Sequence, residues 1–138
     1  MNNRSEIYVD GNWVASSGTE NIDVINPSTE EIIGSTPAGT KEDADLAVKA
    51  AKEAFQGWAE TSLEERLSYI ENLAAKLGER SAEIGELISQ EVGMPGKMSM
   101  MIQAGLPATT TASISGTARE FPFEETIGRS LVTREPIG

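Results

Sequence analysis

The chain has 138 residues, 38% of them hydrophobic, with 22 acidic against 11 basic side chains and a net charge of −11. That suffices for one globular domain with a modest core. The acidity argues against a nucleic-acid or anionic-membrane surface, since both require basic groups. Cysteine and histidine are both missing, which removes the thiolate nucleophile, the thiolate metal site and the commonest general base.

No apolar run reaches the roughly 18 residues a transmembrane helix needs. The opening Met1-Asn-Asn-Arg-Ser-Glu6 lacks the apolar centre of a secretory signal, so the cytoplasm is the default compartment. Asn3-Arg4-Ser5 matches a glycosylation triplet and reads as a chance match. No two glycines stand two apart, which rules out a G-x-G-x-x-G dinucleotide loop, and no phosphate-binding P-loop is present. No catalytic and no cofactor-binding residue can therefore be assigned within the chain.

In chain order, Ile7-Tyr-Val9, Asp10-Gly11 and Asn12-Trp-Val14 predict a hairpin with a type I′ turn. Ser16 to Thr19 is a loop. Asn21-Ile-Asp-Val-Ile25 alternates polar and apolar, as a strand does. Asn26-Pro-Ser-Thr29 is turn chemistry, and Glu31 to Thr36 is a return strand.

Three helices follow. Thr40 caps the first, with Asp43 in a capping-box-like position. Its apolar stripe runs through Ala44, Ala47, Val48, Ala51, Ala54, Phe55 and Trp58. Ser62 with Glu65 is a proper capping box for the second, whose stripe holds Leu63, Leu67, Ile70, Leu73, Ala74 and Leu77 before Gly78 ends it. Ser81 caps the third, with Ile84, Leu87, Ile88 and Val92 inward and a stop at Gly93-Met-Pro-Gly96.

Lys97 to Glu120 reads as helical, with a kink or a fresh start at Pro107. Met94, Met98, Met100 and Met101 read as flexible core filler. Phe121-Pro-Phe123 ends the helix, Ile127-Gly128 is a turn, and Ser130 to Arg134 is a strand. Both strand groups are short and need a partner sheet to bury a face. For that reason, and because Ile137-Gly138 reads as the opening of another element, we expect the chain to be one portion of a longer protein.

Four segments in order resemble the aldehyde dehydrogenase superfamily: Tyr8-Val-Asp-Gly-Asn-Trp13, Asn26-Pro-Ser-Thr-Glu30, Ala47 to Phe55 with Trp58, and Arg134-Glu-Pro-Ile-Gly138. The resemblance implies an α/β fold of the aldehyde dehydrogenase type. Residues 1–123 would form the N-terminal part of the cofactor-binding domain, 124–135 an oligomerisation hairpin, and 136–138 the start of the next segment of the cofactor domain. It implies oxidation of an aldehyde to a carboxylic acid with NAD or NADP, both bound by residues outside this chain, in a homo-oligomer (dimer or tetramer). In that family a cysteine thiolate attacks the aldehyde and a glutamate-activated water hydrolyses the thioester. Neither residue has a matching position here, so the chain alone is expected to be inactive.

Within these residues the resemblance assigns Leu131, Thr133 and Glu135 to the oligomerisation strand. It assigns Val24, Ile25 and Glu91 to a monovalent-cation site, where oxygen ligands suit a hard cation. Where many relatives carry an aromatic pair lining the aldehyde tunnel, this chain has Thr111-Ala-Ser-Ile-Ser-Gly116, a small and partly polar wall. The alternatives are a naturally truncated, non-catalytic assembly module and a self-contained helical binding domain.

Overall fold

The computed structural model describes residues 2–137; Met1 and Gly138, the last residue of the exit motif, lie outside the described residues. A two-residue strand β1 (Asn2–Asn3) pairs in parallel with β5 (Ile32–Pro37), against which β4 (Asn21–Ile25) runs antiparallel. The sequence reading missed β1, because asparagine is a poor strand former and the pairing is not local. Between them, β2 (Glu6–Val9) and β3 (Asn12–Ala15) form the expected hairpin. Asp10 and Gly11 both adopt positive φ, 51° and 76°, as a type I′ turn requires. Tyr8 and Trp13 face each other across it, ring centroids 5.2 Å apart, with the Arg4 guanidinium over the Trp13 ring.

Helix α1 (Lys41–Ala59) starts at Thr40, and here the capping box is complete. The Asp43 N–H donates to Thr40 Oγ1 at 3.2 Å, and the Thr40 N–H donates back to Asp43 Oδ2 at 3.0 Å. The same carboxylate accepts from Ser16 Oγ at 2.6 Å and from the Ser17 N–H at 2.9 Å. Asp43 therefore ties the end of the first hairpin to the start of the helical part, and it is buried there. These donors, Ser16 first, hold its carboxyl below the usual carboxylate range.

Helix α2 (Leu63–Glu79) is capped by Ser62, whose hydroxyl accepts from the Glu65 N–H at 3.2 Å. Only α1 shows the reciprocal box, so the expectation that Ser62 owns the fuller one is corrected. Gly78 does not end α2, nor does Ser81 cap α3 (Ser81–Val92). A single residue, Arg80, separates the two helices with near-helical φ −99° and ψ 8°. The guanidinium of Arg80 grips Glu83 through two hydrogen bonds of 2.9 and 2.8 Å.

Gly93 ends α3 in the left-handed conformation with φ 72°. A Cβ there would stand 2.9 Å from Pro27 Cγ, so the C-terminus of α3 is seated against the Asn26-Pro27 turn. A short α4 (Gly96–Met98) runs into a π-helical segment, Ser99–Ala104, and then α5 (Gly105–Glu120). The wide turn lies just before Pro107, which has no N–H to offer the carbonyl four residues back. Phe121 closes α5, as expected. Strands β6 (Glu124–Ile127) and β7 (Ser130–Thr133) form the closing hairpin, with Gly128 at φ 64° in the first turn position.

The core is small. α2 packs on α5, and α3 packs on the π-helical segment. Leu67 (3% exposed), Ala74 and Ala104 are buried there, Gly85 lies against Met100, and Val9 is the buried apolar residue of the first hairpin. Burying a leucine like Leu67 contributes about 2–3 kcal/mol. By contrast the α1 stripe is largely uncovered: Val48 is 67% exposed and Trp58 48%. Met98, Met100 and Met101 are also exposed, which corrects their reading as core filler; only Met94 is half-buried. The accessible surface is 10268 Å². A compact monomer of 14.7 kDa would expose roughly 6,900 Å².

The Asp43 knot makes a pH prediction. Because its folded pKa lies below the unfolded value of 3.8, the unfolded chain takes up the proton first as pH falls. The contribution of Asp43 is complete above that value and is lost progressively below it. In urea titrations at neutral pH, Thr40→Ala should cost about 1 kcal/mol and Asp43→Asn should cost more. Below pH 4 the gap between Asp43→Asn and wild type should narrow; a gap that persists would show that the carboxylate charge is not what holds the knot.

Candidate functional site

Three places carry the residues that the sequence singles out. At the first, the β4–β5 register slips: Val24 pairs with Gly34 but Ile25 pairs with Ile32, leaving Ile33 as the extra residue. The Asn26 side chain then accepts from the Ser28 N–H at 2.9 Å and closes the turn. Because Gly93 lets α3 reach this turn, a cleft of about 130 Å³ forms between Val24, Ile33 and Gly34 on the sheet and Leu87, Gln90 and Glu91 on the helix.

Val24 and Glu91 are thus brought together, whereas Ile25 is exposed and does not line the cleft. Glu91 itself is exposed, and among the described residues no side chain donates to its carboxylate. One carboxylate beside strand backbone is an oxygen set of low charge, which fits a monovalent hard cation in kind. Among the described residues no group of three or more acidic, histidine or cysteine side chains could hold a metal ion.

The second place is the closing hairpin. Leu131, 67% exposed, pairs with Thr126, and Thr133 pairs with Glu124; Thr133 and Glu135 are exposed too. Among the described residues β6 and β7 pair only with each other. Arg134 secures the base of this hairpin. Its N–H donates to the Phe123 carbonyl at 2.9 Å, its Nη1 donates to the Pro122 carbonyl at 2.6 Å, and its Nη2 pairs with Glu125.

The third place is α5. Its residues Leu106 and Ala112 are exposed, Ala108 is half-buried and Ser115 is buried. The Ser99 and Ser115 hydroxyls are buried without a hydrogen-bond partner among the described residues. No aromatic side chain stands along α5. At its end Arg119 bridges Glu64 at 2.9 Å and Glu71 at 3.2 Å on α2. This hydrogen bond holds the Glu64 carboxyl below its ordinary range.

The N-termini of α1 and α2 are poorly suited to a phosphate. A helix N-terminus binds phosphate through free N–H groups and the positive end of its dipole. Here the first turns of α1 and α2 carry Glu42 and Asp43, and Glu64 and Glu65, with the capping donors already engaged. α5 has no free N-terminus, because it continues from the π-helical segment. Among the described residues no helix is long and apolar enough to cross a membrane.

Comparison with known proteins gives a consistent answer. The profile of the aldehyde dehydrogenase family matches residues 13–138. The whole chain is 38% identical to 29% of a 3-succinoylsemialdehyde-pyridine dehydrogenase from a Pseudomonas species. An aldehyde dehydrogenase from Bartonella henselae superposes with a TM-score of 0.89 at 35% identity, covering 92% of this chain and 27% of that one. Aldehyde dehydrogenase C from Pseudomonas syringae, a cysteine-to-alanine mutant complexed with NAD+ and octanal, superposes at 0.87 with 32% identity, covering 90% and 26%. The chain spans less than a third of the length of the relatives it matches. On its ordered motifs, its mixed helix-and-strand fold and these matches, the chain belongs to the aldehyde dehydrogenase family.

Proposed function

We propose that the chain is the N-terminal scaffold and assembly portion of an NAD(P)+-dependent aldehyde dehydrogenase, which oxidises an aldehyde to the carboxylic acid. The observation that carries this reading is the uncovered surface. The chain exposes roughly 3,300 Å² more than a compact protein of its mass, including Trp58, Leu73, Val92 and Met101. An excess of that size exceeds the roughly 1,000–2,500 Å² that one partner contributes to a large permanent interface. The rest of such an enzyme would supply the cover. A relative solved with NAD+ and octanal supports the class of cofactor and substrate.

In this reading residues 1–123 belong to the cofactor-binding domain and buttress it without touching the cofactor. Residues 124–135 form the hairpin through which Leu131, Thr133 and Glu135 join a neighbouring subunit of a homo-oligomer. Residues 136–138 lead into the next segment. The backbone carbonyls of Val24 and Ile25 and the carboxylate of Glu91 hold a monovalent cation with a further ligand from outside the chain. NAD or NADP and the aldehyde are bound elsewhere, and the proposed compartment is the cytoplasm.

The intact mass of the protein from its native source tests the reading directly. A mass several-fold above 14.7 kDa, with aldehyde-dependent reduction of NAD(P)+, is expected. A mass of 14.7 kDa would sink it and leave a non-catalytic assembly module.

Two variants of the full-length protein test the site residues. Leu131→Glu places a charge on the proposed interface strand, so light scattering should show a smaller assembly than wild type; an unchanged mass would remove the hairpin from the interface. For the cation, replacing sodium and potassium by tetramethylammonium should lower the melting temperature of wild type. Glu91→Gln should lose that dependence, and a variant with the full wild-type shift would dismiss Glu91 as a ligand.

A further inference from the structure

The geometry points to Arg134 as a positioning residue, one that sets the direction in which the chain leaves the closing hairpin. We propose that it thereby places whatever follows Pro136 in the whole enzyme, an inference that rests on the reading above. Four contacts converge on this residue. Its N–H bonds to the Phe123 carbonyl one residue beyond the end of β7. Nη1 holds the Pro122 carbonyl, Nη2 holds the Glu125 carboxylate, and the guanidinium lies 5.6 Å from the centroid of the Phe121 ring. Phe121 in turn packs edge-on to Phe123 at 4.9 Å.

Pro136 has no N–H to give and keeps Glu135 extended, so the step that leaves the hairpin at Arg134 is stiff. Glu135 and Pro136 run between two open clefts, one floored by Trp58, Leu63 and Leu67 and the other by Phe55 and Ala59. A stiff step transmits a tilt at Arg134 to the residues that follow it. The planar guanidinium fork sets the angle; a lysine would keep the charge but satisfy one acceptor at a time and lose the stacking.

The test uses the full-length protein with Arg134→Ala and Arg134→Lys, after wild type is shown to reduce NAD(P)+ with an aldehyde. If wild type does not, the reading of function has failed. The amide hydrogen exchange of the residues after Pro136 still tests Arg134 on its own. In both variants that exchange should accelerate, while melting temperature and assembly stay near wild type. The kcat should fall roughly 10- to 100-fold, the scale on which small misplacements act, with KM for the aldehyde little changed.

Unchanged exchange in Arg134→Ala, rescue of kcat by Arg134→Lys, or a fall in kcat only in step with melting temperature would each overturn the proposal. Should Arg134→Ala fail to fold, Glu125→Gln and Phe121→Leu each remove one anchor. Intermediate acceleration of exchange is then expected, and none in either variant would overturn it.

Discussion

The packing of α2 on α5 is the most extensive helix contact among the described residues, and the remaining elements are arranged around it. Leu67 and Ala74 are buried in this part of the molecule. The residues on the facing helix are small, which lets the two backbones approach. Arg119 reaches back from the last turn of α5 to two carboxylates on α2. These ion pairs are exposed and individually weak; they fix the pairing angle more than they stabilise it. From this pair the chain leaves through Phe121 to the closing hairpin, and α3 continues α2 with only Arg80 between them.

A second node, the Asp43 carboxylate, joins the strand part to the helical part. It works where a hydrophobic contact would not, because the loop Ser16-Ser17 and the first turn of α1 both present donors in need of an acceptor. One side chain satisfies three of them. The two nodes differ in kind: α2 with α5 is an interface of area, whereas Asp43 is a point. Together they hold a framework whose outer faces stay apolar and uncovered.

Much of this was legible in the residues. Asp10-Gly11 specifies its turn because both positions need positive φ, and the helix stripes follow from spacing alone. What the sequence concealed is non-local. The parallel pairing of Asn2–Asn3 with β5 has no local signature, and the reach of Asp43 to Ser16 and Ser17 spans a loop that spacing cannot measure. Periodicity says which face of a helix is apolar and not what lies against it: Val92, expected inward, and Met101, expected as core filler, are both exposed, as is Val48 of the α1 stripe. At the cleft between β4 and α3, motif likeness placed Val24 near Glu91. The register slip between Val24 and Ile25 became visible only in the strand pairing.

The contact between Gly93 and Pro27 has a consequence for how this chain can vary. The two positions lie far apart in sequence, yet a Cβ at 93 would intrude on the ring at 27. A side chain at 93 meets two obstacles at once, the left-handed backbone and the proline. A small residue at 27 would remove only the second. The two substitutions are therefore non-additive: a change at 27 is tolerable while glycine stands at 93, and a change at 93 costs less once 27 has given way, with only the backbone strain left. In a lineage carrying this joint, the order in which the two mutations arise is thus constrained, and the tight pairing of helix end and turn acts as a ratchet on the evolution of both.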